Sequence, residues 1–172
     1  LHRRRHSFPT RRSSDLAIRY YYNAIDALFE VEPKFKNGEP QGGNFIKGNF
    51  FDTPRIISVM LKLSDCLNHT KQFTETELIL DSALTFAINY KDESLITAVK
   101  EAKCFMYEIS NDKVKAIDHR NSLGAYYLEK KNLKSAVEQY ERAGNLSLLQ
   151  EDTNQALAFY SKITTLLGGR NY

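Results

Sequence analysis

The chain has 172 residues, long enough for one domain with a sizeable core, since about 60–70% of the unfolded surface can be buried at this length. Its composition, 42% hydrophobic and 26% charged with four prolines and eight glycines, is that of a globular protein nearly free of helix breakers. The formal charge of +3 invites a nucleic-acid reading, but five of the 24 Lys/Arg and one of the 21 Asp/Glu lie in residues 1–16, leaving 19 basic against 20 acidic residues and excluding a basic footprint over the rest.

Those sixteen residues read LHRRRHSFPTRRSSDL. A common sequencing-adapter strand, translated codon by codon, yields HSFPTRRSSD, and its last two bases open a Leu codon. Residues 6–16 therefore look like translated adapter, and 1–16 is expected to be a disordered or non-native scar. The competing reading is a basic localisation or RNA-binding arm. Residues 17–32 follow as a lone helix. The stretch 33–54, PKFKNGEPQGGNFIKGNFFDTP, holds half the glycines and reads as a loop. Its interleaved Lys and Phe in FIKGNFF suit base stacking, but pinning of the loop to the helices by Phe45, Ile46, Phe50 and Phe51 is the preferred reading. The glycines do not precede a Lys-Ser/Thr helix start, so no phosphate loop is present.

From residue 54 the chain counts in twenties. Polar breaks at 68–71, 90–93, 110–113, 130–132, 151–154 and 168–171 bound segments with a helix-period apolar pattern. The pattern includes Leu78, Leu80 and Ala83, then Val99, Ala102 and Phe105, then Val114, Ile117, Leu123 and Tyr127, then Ala136, Tyr140 and Leu149, and last Ala156, Phe159 and Ile163. Helices are expected over 54–69, 72–89, 92–108, 112–130, 133–149 and 155–167. Asp92, Asp112 and either Asp152 or Thr153 are suited to cap helix N-termini, and Gly168-Gly169 to stop the last helix. Links this short force neighbouring helices antiparallel, and such hairpins bury their apolar faces by stacking. The expected fold is all-α, an α-α superhelix (solenoid) of antiparallel helix hairpins.

Residues 121–143, NSLGAYYLEKKNLKSAVEQYERA, carry a more specific pattern. Leu123, Gly124 and Tyr127 in one helix, then Ala136, Tyr140 and Ala143 in the next, resemble the tetratricopeptide repeat family, with the matching repeat spanning 117–150. Small residues at 124, 136 and 143 let helices approach, and the two tyrosines fill the space between. Met60, Leu63, Ser64 and Leu67, followed by Phe73, Leu80 and Ala83, form a second match in which Thr76 replaces the family's small residue. Ala17, Tyr21 and Ala24 stand at second-helix spacing. Residues 92–108 then lack a partner, because the parity of first and second helices is off by one. The chain is expected to be a fragment of an array open at both ends, prone to self-association through those ends.

No catalytic motif emerges. Cys66 and His69 share a helix face, but a zinc site needs two further ligands, and Cys104 and His119 are not in paired spacing. A core Cys and a helix-end His are the simpler reading, so no metal, cofactor or enzymatic activity is expected. No run of 18 apolar residues suggests a membrane span. Two cysteines are too few for a disulfide framework and fit a reducing compartment, the cytoplasm. The resemblance implies protein–protein interaction on a concave groove, here formed by Ser58, Leu61, Asp65 and Asn68 of one repeat and Asp118, Asn121, Ala125 and Leu128 of the other. That mixture would take a peptide or helix with little net negative charge, and no nucleic acid or membrane partner is expected. The alternative is a sensory or regulatory arm of a larger signalling protein carrying a histidine kinase or a transcriptional regulator.

Overall fold

The computed structural model describes residues 11–29, 35–36, 39–40 and 53–168. Within them the twenty-residue rhythm is a backbone property. Lys71, Lys91, Asn111, Lys131 and Glu151 all take left-handed conformations, with φ between 57° and 63°. None is glycine, so each carries a steric cost of about 1–2 kcal/mol that the flanking hydrogen bonds offset. At 71, 111, 131 and 151 those bonds form the same pair. Lys131 N–H, for example, donates to Leu128 O at 2.9 Å and Asn132 N–H to Tyr127 O at 2.8 Å. This is a Schellman closure of the preceding helix.

The residue after each left-handed one then opens the next helix. Asp92 Oδ1 accepts from Ser94 and Leu95 N–H at 2.9 and 3.1 Å, and Asp112 Oδ1 from Lys115 N–H at 3.1 Å. Asn132 caps Ser135 N–H at 3.1 Å and Asp152 caps Gln155 N–H at 2.9 Å, so Asp152 rather than Thr153 is the last cap. At the fifth boundary Gln72 makes no side-chain cap bond.

The helices so bounded are α1 (Arg11–Phe29), α2 (Thr53–His69), α3 (Phe73–Tyr90), α4 (Glu93–Ile109), α5 (Lys113–Glu129), α6 (Leu133–Leu148) and α7 (Thr153–Gly168). From α2 on they match the expected spans to within two residues, and the fold class is all-α as expected. α1 begins six residues before Ala17, inside the adapter-like stretch. Arg-Arg-Ser-Ser-Asp-Leu contains no Gly or Pro to stop a helix, Ser14 is buried, and residues 11–16 are helical. Most of the expected loop 33–54, FIKGNFF included, lies outside the described residues. Phe35–Lys36 (β1) pairs antiparallel with Glu39–Pro40 (β2), and Thr53-Pro54 already belong to α2.

The chain divides into two compact units between Ile96 and Thr97, within α4. In the first unit α1 packs on α2 and α2 on α3. Ile56, Ile57, Met60, Leu63 and Leu67 of α2 meet a core completed by Ile25, Leu80, Ala83 and Ala87. Each such large aliphatic contributes about 1.5–3 kcal/mol on burial. Thr76, which replaces a small residue of the repeat pattern, is fully buried, and its hydroxyl donates to Gln72 O at 2.9 Å within its own helix. Tyr22 of α1 reaches past α2 to donate to the Glu75 carboxylate of α3.

In the second unit α5 packs on α6 and α6 on α7. Leu123, Tyr127, Ala136, Tyr140 and Ala143, the residues of the repeat signature, share one buried cluster with Cys104, Ile117 and Phe159. Gly124 is needed there, because a Cβ would stand 2.7 Å from the Tyr140 ring, and at Gly144 one would stand 3.0 Å from the Tyr160 ring. The 97–109 part of α4 finds its partner in α5: Glu101 meets Tyr127, Tyr107 stacks on His119 at 4.7 Å, and Glu108 meets Arg120. The parity problem therefore falls where the two units divide.

Not every expected apolar position is core. Val114 is 63% and Leu78 50% exposed, and Leu149 and Phe105 are also exposed. Each stands beside the buried stripe, which covers only part of the helix circumference.

Candidate functional site

α5 buries residues 116, 117, 120, 123, 124 and 127, and residue 120 is an arginine. Its stem follows the apolar stripe and its guanidinium must therefore find partners inside. It does so from both neighbouring helices: Arg120 Nε donates to Glu108 Oε1 of α4 at 2.6 Å and Nη1 to Gln139 Oε1 of α6 at 2.7 Å. Arg120 is 2% exposed while Glu108 still reaches solvent, so the ion pair sits at the boundary of the core. Its value is mainly positional, since desolvation consumes much of the Coulombic gain.

Above this pair lies a solvent-open cleft of about 400 Å³. Ala98, Glu101, Ala102 and Phe105 of α4 form one wall and Glu138, Gln139 and Arg142 of α6 the other, with Arg120 between them. Ala98 and Ala102 are too short to fill the space between the walls. Phe105 is 49% exposed there, a large apolar ring held against water. Glu101 is oriented by the Tyr127 hydroxyl, which donates to its Oε1 at 2.7 Å. Burial, that hydrogen bond and the nearby charges of Glu101 and Glu138 push the Tyr127 hydroxyl well above its ordinary pKa, against a lowering by Arg120. The phenol therefore stays protonated and serves as a donor.

Cys104 is buried in the core, 1% exposed. Burial pushes its pKa up to about 11, opposed by the Arg120 charge, so the thiol is neutral near pH 7. Cys66 is half-buried and also raised, first by burial and then by Asp65. Among the described residues no three His, Cys, Asp or Glu side chains come together as metal ligands would. His119 is engaged against the Tyr107 ring.

The residues expected to line a groove are only partly brought together. Asp118, Asn121 and Ala125 share an exposed face of α5, but Leu128 on the same stripe is half-buried against the core cluster. Ser58 and Asp65 are exposed on α2 and Leu61 is half-buried. Asn68 is buried, at 8% exposed, and among the described residues its Oδ1 has no hydrogen-bond partner. Although Asp65 reaches solvent, partial desolvation of its carboxyl by neighbouring side chains raises its pKa, with His69 pulling the other way. None of the eight lines the α4–α6 cleft.

The cleft is not visible in local sequence patterns because its walls come from two helices that are not consecutive, α4 and α6. One signal was available. Arg120 occupies the apolar period between Ile117 and Leu123, and a charge at such a position announces a buried partner. No helix among the described residues is long and apolar enough to cross a membrane. No family model, curated protein or solved structure matches this chain.

Proposed function

We propose that this chain is a non-enzymatic protein-interaction scaffold of the tetratricopeptide repeat type, which takes a peptide or helix of a partner protein in the cleft between α4 and α6. The cleft carries the reading: a half-exposed phenylalanine beside Glu101, Glu138 and Arg142, over a buried Arg120 bonded to Glu108 and Gln139. An apolar anchor among fixed polar groups is what peptide recognition requires. Packing of the signature residues Leu123, Tyr127, Ala136, Tyr140 and Ala143 in one cluster supports the family assignment. Two free thiols, one of them fully buried, support a cytoplasmic setting.

The proposal moves the binding face from the outer side of α5 to the α4–α6 side. It is tested by panning a phage-displayed random-peptide library on the purified chain. Peptides recovered should lose affinity for a Phe105→Ala, Arg142→Ala variant and keep it for an Asp118→Lys variant. The reverse pattern would return the site to Asp118, Asn121 and Ala125.

A further inference from the structure

The cleft is electrically polarised along its length. α4 and α6 both run antiparallel to α5. Glu101 meets Tyr127 and Glu108 meets Arg120 on one side, while Lys113 reaches Leu149 O and Arg120 reaches Gln139 on the other. Rising residue number in either wall thus leads from the Tyr127 end of the cleft towards the Arg120 end. Glu101 and Glu138 come first. Phe105 and Arg142, each one helical turn or about 6 Å further along its own helix, come after.

The charge of Arg120 is already met by Glu108 at 2.6 Å. What the cleft offers a visitor is two carboxylates at one end, an aromatic ring beyond them, and one guanidinium at the other end. Two carboxylates near a phenol repel each other, and a cation placed between them relieves that repulsion. The stem of a lysine or arginine is apolar and long enough to lie over a ring while its head group reaches the acids.

We propose that the cleft recognises a polypeptide segment of mixed charge: a lysine or arginine seated between Glu101 and Glu138 with its stem on Phe105, and an aspartate or glutamate about one helical turn away facing Arg142. The neutral pairing of Arg120 is what makes room for a basic guest, and Arg142 disfavours a second basic residue one turn on. This inference rests on the peptide-binding reading of the same cleft and adds the chemistry of the guest.

The test uses the whole chain and a phage-displayed random dodecapeptide library as probe. Recovered peptides are synthesised and their affinities measured on the wild type, on Glu101→Gln/Glu138→Gln, on Glu138→Gln alone, and on Phe105→Ala. Glu138 is exposed, and Gln at 101 still accepts from Tyr127, so circular dichroism should be unchanged in each. The inference predicts peptides pairing a basic with an acidic residue, binding about ten-fold or more weakly to the double variant, with most of that loss reproduced when the basic residue alone is changed to Gln. Peptides that depend on Phe105 but are indifferent to both glutamates would overturn the charge rule and leave peptide binding standing. Peptides indifferent to all three positions would overturn both.

Discussion

The α2–α3 and α5–α6 pairs have matching helix starts sixty residues apart and different interiors. Ile57 stands in the register of Ile117, Leu63 of Leu123 and Ala83 of Ala143, and all six are buried. The differences sit at neighbouring positions. Ser64 and Leu80 in the first hairpin answer to Gly124 and Tyr140 in the second. Where the inserted side chain grows from leucine to tyrosine, the facing residue shrinks from serine to glycine, so the sum of the two volumes is conserved more closely than either. Met60 and Ile79 answer to Arg120 and Gln139. The first hairpin has a buried methionine and a half-buried isoleucine there, and the other a guanidinium shared between two helices. The register tolerates a charge at this position because α4 and α6 supply its partners, and the cleft lies over that charge.

The comparison is broken most severely at Arg120. Arg120→Ala leaves Glu108 and Gln139 without their partner and should cost about 3–5 kcal/mol in urea unfolding. Arg120→Met with Gln139→Ile, copying Met60 and Ile79, should recover the part of that loss due to packing and Gln139, with Glu108 left to solvent. If the double variant is as unstable as the alanine, the hairpins are not interchangeable at this position. A smaller effect is expected at the glycine. Gly124→Ala pushes a methyl into the Tyr140 ring and should cost about 1–3 kcal/mol despite the better helix propensity of alanine. Gly124→Ser with Tyr140→Leu, the Ser64–Leu80 arrangement, should cost less than the sum of the two single changes, and strict additivity would show that the volumes are not coupled.

The smallest effect is electrostatic. The Asp65 carboxyl, raised by burial, makes its charged form unfavourable in the fold, whereas its register counterpart is Ala125. This cost is absent below the unfolded value, near 3.8, grows as pH rises through the folded pKa, and stays at its full size above it. Asp65→Asn should therefore stabilise slightly at pH 7, with the advantage fading as pH falls towards 3.8 and gone below it in thermal melts. An advantage that persists at pH 3 would assign it to another cause.

The helices were legible because each carries its own period and its own cap, and both are local. Asp92, Asp112 and Asp152 sit where a side chain must answer backbone N–H groups, and composition alone points to them. The left-handed residues were not legible as such. Lys71, Lys91, Asn111, Lys131 and Glu151 occupy a conformation usually signalled by glycine, and only their spacing betrays them. Val114 and Leu78 have residue types that suit a core, but their register places them in solvent. The outer face of α5 was anticipated from the repeat resemblance. The cleft required knowing that Glu101 and Arg142, distant in the chain, line one space.

The most direct measurement is photo-crosslinking at single positions. The photoreactive benzoyl derivative of phenylalanine is placed at position 105 in the cleft or at position 121 on the outer face of α5, and each protein is irradiated with a library-selected peptide. Adduct formation from position 105, suppressed by excess unlabelled peptide and weak from position 121, is the result this account predicts. Efficient adducts from 121 with none from 105 would contradict it.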